Sequence, residues 1–380
     1  MKMLVLGAGL QGCACAYDLL QNPAVSQVTL ADLRPDNLPA FLAPHRGKRL
    51  TAVVLDVTDG AAVRSVMTGH QAVMSAIPYY FNEQMARAAV DCGLNYSDLG
   101  GNTEIVFNQK KLDPEARAKG LSVIPDCGLA PGMINILAAE GIRRVDQAEK
   151  VKVYVGGLPQ HPEPPLNYQI VYSLEGALDY YTTPSWVLRG GKPVQVDALS
   201  ELEALEFPAP VGTLEAFHTG GGISTMPWAY QDKIQVMEYK TLRYPGHVAI
   251  MRPIRELGLL SDEPLVVRGQ TVKPRDVFIA SVHPKLHKPA GRDLVALRVE
   301  VTGTKGGKPA RAGFQLLDYY DEVHGISAMM RTTGYSLSIT GQMQVDGRIS
   351  SRGVHVPDEA MPFGPYVAEL GKRGIKVVEV

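Results

Sequence analysis

Lys2-Met3-Leu4-Val5-Leu6-Gly7-Ala8-Gly9-Leu10-Gln11-Gly12, followed after a helix-like segment by Val28-Thr29-Leu30-Ala31-Asp32, decides how the chain is read. An apolar run ends in glycines spaced G-x-G-x-x-G, and an acid closes the next apolar run about twenty residues on. Gly7 permits a tight turn off a strand, Gly9 lets the backbone approach a pyrophosphate, and Gly12 lets the following helix lie close to the sheet. That helix opens on Leu10 and Gln11, where free N–H groups and a partial positive charge favour an anion. Asp32 would accept hydrogen bonds from both ribose hydroxyls and repel a 2′-phosphate, which selects NAD over NADP, although Arg34 close by softens the choice.

Outward from this stretch, apolar runs at Lys2 to Leu6, Gln27 to Ala31, Leu50 to Leu55, Ala72 to Ala76, Asn95 to Asp98 and Ser122 to Ile124 alternate with helix-like segments. Such alternation predicts a Rossmann-type, doubly wound parallel sheet with ligands beyond the carboxyl ends of its strands. Those ends carry Asp56, a candidate for the adenine amino group or for a helix cap. They also carry Ala76 and Pro78, small enough beside a nicotinamide ribose, with Tyr79 as a wall, and two carboxylates, Asp98 and Asp126.

From about residue 131 the texture changes. Alternating segments at Lys150 to Val155, Ile234 to Tyr244, Leu294 to Thr302 and Ala310 to Tyr320, with glycine pairs at Gly190-Gly191 and Gly306-Gly307, predict an α+β domain on a mainly antiparallel sheet. The expected division is residues 1–130 for the dinucleotide domain and 131–345 for substrate binding and oligomerisation, with 346–380 packing back on the first. Aromatic and polar connections stand out around Tyr168, around His218, and in Glu238-Tyr239-Lys240-Thr241-Leu242-Arg243. Strand alternation puts Lys240 and Arg243 on opposite faces, so only one can see a cleft unless the strand bulges.

A net charge of −1 without a Lys/Arg run excludes an obvious nucleic-acid face. No apolar stretch approaches the ~20 residues of a membrane helix, and the N-terminus reads as a buried strand rather than a signal peptide, so a cytoplasmic location is expected. The four cysteines form no metal-like pairs, and no H-E-x-x-H or paired Cys/His spacing supports a metal.

The segments GAGLQG with Asp32, SAIPYYFN, YSDLGG, PDCGLAPGMIN, YVGGLP with PEPPLNYQIVYSLEG, AFHTGGG and EYKTLRYPGH together resemble the saccharopine dehydrogenase-like family, most closely its L-lysine 6-dehydrogenase branch. That resemblance implies NAD-dependent oxidative deamination of the lysine ε-amino group to 2-aminoadipate 6-semialdehyde, which cyclises, and a homodimer or higher homo-oligomer built through the second domain. The alternatives are a saccharopine- or carboxynorspermidine-type secondary-amine dehydrogenase, and a non-catalytic NAD-binding protein.

Removing hydride from a C–N carbon requires a neutral amine, whereas lysine carries an ammonium of pKa near 10.4. Asp98 and Asp126 are therefore the candidates for base and ammonium anchor, with capping of the following turns as their alternative role. Arg243 is the preferred partner for a substrate carboxylate because its planar fork binds bidentately. Lys240, His218, Tyr168 and Tyr79 are the other candidate lining groups.

Overall fold

Each of the six apolar runs between Lys2 and Ile124 becomes a strand: β1 (Lys2–Leu6), β2 (Gln27–Asp32), β3 (Leu50–Val54), β4 (Ala72–Ser75), β5 (Asn95–Asp98) and β6 (Ser122–Ile124). The computed structural model describes residues 1–380. The strands align in parallel in the order β3-β2-β1-β4-β5-β6, the doubly wound arrangement, whose order reverses beside β1 and opens a crevice there. Leu4, Leu6, Val73 and Met74 are fully buried, each contributing about 1.5–3 kcal/mol relative to exposure.

The second sheet contains β7 (Gln147–Pro159), β8 (Ser185–Arg189), β9 (Lys192–Val196), β10 (Glu203–Phe207), β11 (Gly212–His218) and β12 (Val236–Arg243). A separate hairpin, β13 (Leu265–Val267) and β14 (Gln270–Val272), precedes β15 (Asp293–Lys305) and β16 (Lys308–Tyr319). The main path is β10-β11-β12-β7-β15-β16, with β8 and β9 attached beside β12. It is antiparallel apart from the parallel pair β12–β7. Gly190-Gly191 and Gly306-Gly307 turn the β8–β9 and β15–β16 hairpins, all four with positive φ.

The chain's last third is divided between the two sheets. Helix Ala328–Val345 lies between the two sheets, against helix Leu10–Gln21, β4 and β5 on one side and β15 on the other. A Cβ at Gly334 would sit 2.6 Å from Gln11 O, and one at Gly341 would collide with Met74 Sδ, so both glycines permit this close approach. The same helix reaches Asp18 through Ser338 Oγ at 2.6 Å. From it the chain enters β17 (Gly353–Val354), a seventh parallel strand beside β6. The final strand, β18 (Val378–Glu379), instead pairs with β16 in the second sheet. No helix is long and apolar enough to cross a membrane.

Candidate active site

The glycine turn has the geometry that its spacing implies. Gly7 has φ +95°, and a Cβ there would lie 2.7 Å from Ala76 O; a Cβ at Gly12 would collide with Gly7 O. Around Gly9 a Cβ would meet nothing within 4 Å, which leaves open space where a pyrophosphate would approach. Asp32 closes β2 with Oδ2 accepting from Ala8 N at 2.7 Å and Oδ1 from Arg34 N at 2.9 Å, so the acid also ties the glycine turn to its own strand. Asp56 is exposed beyond β3 and accepts from Thr58 N and Oγ1, while Asp59 caps the next helix at Ala61 N and Ala62 N. Ala76 packs against the glycine turn, Pro78 is exposed beyond β4, and half-buried Tyr79 stands next to Gly101. These residues fit a dinucleotide laid across the crevice.

Where this turn meets the second sheet lies a cavity of about 220 Å³. Gln11 enters it from the first turn of the glycine-motif helix, with its Oε1 buried and unpartnered. Tyr172, Tyr180 and Tyr181 supply one wall, and Tyr239, Thr241 and Arg243 project together from β12. Arg243 is the only charged side chain on the wall, and no carboxylate lines it. Its Nε donates to Tyr181 Oη at 3.1 Å, Nη1 donates to Leu242 O at 2.8 Å, and the guanidinium lies 4.7 Å from the Tyr168 ring centre. It forms no salt bridge although it is only 3 % exposed. Burying a charge without a counter-charge is costly, and a cavity beside that charge marks where an anion would compensate it.

Alternation along β12 settles which cation faces the cleft, and two expectations are corrected. Lys240 lies on the reverse face, with Nζ donating to Glu203 Oε1 at 2.9 Å and Glu201 O at 2.7 Å. His218, its register partner on β11, shares that face and is bound between Glu201 Oε2 and Tyr239 O, both at 3.1 Å. Neither reaches the cavity, because directly opposed residues of an antiparallel pair point the same way and no bulge interrupts them. Glu201, His218 and Glu238 place ligand atoms within 4.8 Å of one another, but Lys152, Arg189 and Lys240 already balance their carboxylates and that of Glu203.

The two carboxylates also divide. Asp98 is fully buried, its Oδ1 accepting from Gly100 N at 2.8 Å and Asp126 N at 3.1 Å and its Oδ2 from Gln109 Nε2 at 2.6 Å. Burial raises its pKa against these hydrogen bonds, and with its lone pairs turned inward it holds the turns after β5 and β6 rather than facing the cavity. Asp126 sits on one of those turns with φ 64°, a left-handed conformation that Asp tolerates better than most residues. Ser224 Oγ donates to Oδ2, while Oδ1 is buried without a partner against Gly100, which lines the cavity. Burial, and after it the charges of Asp98 and Asp358, push its pKa up to about 8 against the Ser224 hydrogen bond. The like-charge effect expected from the paired acids is thus secondary to desolvation.

Tyr172, Tyr180, Tyr181, Tyr239 and Thr241 were not singled out from sequence as site residues. The clue was present in the aromatic run Asn167 to Tyr181 and in the shared parity of Tyr239, Thr241 and Arg243.

A nucleotide-binding turn beside a tyrosine-walled cavity that holds one buried, unpaired arginine is the arrangement of a dinucleotide-dependent oxidoreductase. The chain belongs to the saccharopine dehydrogenase family: the saccharopine dehydrogenase NADP binding domain matches residues 3–124, and the saccharopine dehydrogenase C-terminal domain matches residues 128–375. It is 24% identical to a saccharopine dehydrogenase (NADP+, L-glutamate-forming) of Schizosaccharomyces pombe, over 100% of this chain and 98% of that protein. It is 23% identical to the mitochondrial alpha-aminoadipic semialdehyde synthase of Mus musculus, over 98% of this chain and 47% of that protein. Apo saccharopine dehydrogenase (L-Glu forming) of Saccharomyces cerevisiae shares the fold, with a TM-score of 0.81 at 22% identity over 100% of this chain and 99% of that one.

Proposed function

We propose that this oxidoreductase is a saccharopine-type dehydrogenase, oxidising the secondary C–N bond of an amino-acid-derived amine that carries a carboxylate. With saccharopine the products would be L-glutamate and 2-aminoadipate 6-semialdehyde, with one water consumed and one hydride and one proton released. The observation that carries this reading is the uncompensated Arg243 guanidinium in a tyrosine-walled cavity that also receives Gln11. The relatives named above, matched along nearly the whole of this chain, supply the substrate type.

A bound nicotinamide would accept the hydride. The protein's part is to seat the substrate carboxylate on Arg243, exclude water with the tyrosines, and leave the amine neutral. Arg243 and the apolar walls disfavour a second cation in the cavity, so the ammonium sheds its proton on entry. In this reading Asp126, behind Gly100 with a pKa raised to about 8, would take that proton and later help water attack the substrate imine.

Asp32 supports NAD, because a carboxylate at this position repels a 2′-phosphate; exposed Arg34 is the feature that would admit NADP. A second reading, oxidative deamination of L-lysine, is favoured by one observation: Arg243 is the only cation on the cavity wall, whereas saccharopine brings three carboxylates. Dinucleotide reduction measured with saccharopine, lysine, ornithine and polyamines, each with NAD and NADP, decides between them. Turnover of saccharopine with glutamate release is the expected result; turnover of lysine alone transfers the assignment to the second reading, and turnover of none removes both.

A further inference from the structure

The carboxylate nearest to Arg243 along the sheet does not pair with it. Glu215 is directly opposite Arg243 in the β11–β12 register, where Cβ atoms are about 4.5–5.5 Å apart, and it is nearly as buried. Its oxygens instead accept from Gly246 N at 3.0 Å and Val248 N at 2.6 Å, at the start of helix His247–Glu256. The helix N-terminus thereby satisfies the anion that would otherwise quench Arg243.

The first residue of that helix reaches back to the cavity wall. His247 is 2 % exposed, with Nε2 at 3.0 Å from Tyr181 Oη and Nδ1 at 3.2 Å from Leu166 O. A carbonyl can only accept, so Nδ1 carries the proton, Nε2 accepts from the Tyr181 hydroxyl, and the phenol oxygen accepts from Arg243 Nε. Burial, followed by the Arg243 charge, pushes the imidazole pKa down to about 3, which keeps it neutral. Phe217 lies parallel to its ring at 6.3 Å and Tyr168 packs edge-on at 5.6 Å, so the neighbours flank the imidazole while its two hydrogen bonds set its orientation.

We propose that Tyr181 and His247 form a neutral hydrogen-bond relay that orients the Arg243 fork towards a substrate carboxylate, with Glu215 withheld by the helix it caps. His247 is then a positioning residue: it touches no substrate and sets the direction of the group that does. This rests on the anion-binding role given to Arg243, and it is testable without turnover.

Glutarate is titrated calorimetrically into the NAD-loaded protein, with the NAD dissociation constant as the control for folding. Tyr181→Phe, which removes one oxygen, and His247→Phe are expected to weaken glutarate about tenfold, while His247→Gln, which retains an acceptor, stays within about threefold of wild type. Glutarate binding unchanged in Tyr181→Phe, equal weakening in His247→Gln and His247→Phe, or no glutarate binding by the wild type overturns the relay. Failure of every amine in the turnover panel, with this binding pattern intact, removes the proposed reaction and leaves the relay standing.

Discussion

The two faces of β12 place Lys240 and Arg243 in opposite electrostatic situations. Both are cations, both are buried, and both come from one short strand. Lys240 is held by Glu203 within a cluster of acids and bases, and in return Lys240 and Lys152 hold the Glu203 pKa below its usual range although burial pulls it upward. Arg243 faces tyrosines and a cavity with no acid. A buried charge paired within the protein is costly to unpair, whereas one without a salt bridge beside a cavity is, under the proposed function, where a substrate carboxylate would sit.

The largest expected effects come from breaking this contrast directly. Arg243→Met should raise KM for a carboxylate substrate roughly 30- to 200-fold, about 2–3 kcal/mol of lost charge-assisted hydrogen bonding, with KM for the dinucleotide little changed. Thermal stability should hold or rise, because an unpaired buried charge has been removed. Lys240→Met should do the reverse, lowering stability by about 2 kcal/mol in a denaturant titration and leaving KM near the wild-type value. Equal effects of the two substitutions on KM would erase the distinction between the faces.

Asp126→Asn comes next. With its pKa near 8, Asp126 must lose a proton to act as a base, so kcat/KM for amine oxidation should climb with pH and level off above about 8. The Asn variant should lose that limb along with most of the activity. The stability effect has a definite sign. In the unfolded chain the carboxyl ionises near 3.9, whereas the folded protein retains the proton, so Asp126 costs stability progressively as pH rises from about 4 to 8. Melting temperatures of Asp126→Asn across that window should therefore fall less than those of the wild type.

A smaller effect is expected at the dinucleotide end. Asp32→Ser should shift the NADP-to-NAD ratio of kcat/KM upward by about one order of magnitude, since it removes the repulsion while retaining Arg34. The smallest concerns the reverse face: EDTA should change neither activity nor melting temperature, because the Glu201, His218 and Glu238 ligand atoms lie among cations that already balance them.

The dinucleotide half was legible because its function is written locally. Gly7, Gly9, Gly12 and Asp32 follow one another along one strand–helix–strand unit, and their spacing alone dictates a backbone that can approach a phosphate. Even there, position did not reveal orientation. Asp98 and Asp126 both end strands, yet the hydrogen bonds of Gly100, Asp126 and Gln109 turn the first inward, while Ser224, distant in sequence, holds the second behind the cavity wall. In the other half, the shared parity of Tyr239, Thr241 and Arg243 was visible, but parity does not say which face of a sheet is covered.

By itself, then, the sequence determined the parallel sheet, the glycine turn, the antiparallel hairpins and the two alternative faces of β12, because each depends on spacing within a continuous segment. Only the tertiary structure decided that helix Ala328–Val345 packs between the two sheets, that Lys240 and His218 share a compensated face, and that Arg243 has no salt bridge although Glu215 lies opposite it. Those outcomes depend on which distant segments meet, and charge compensation is a property of neighbours in space rather than in sequence.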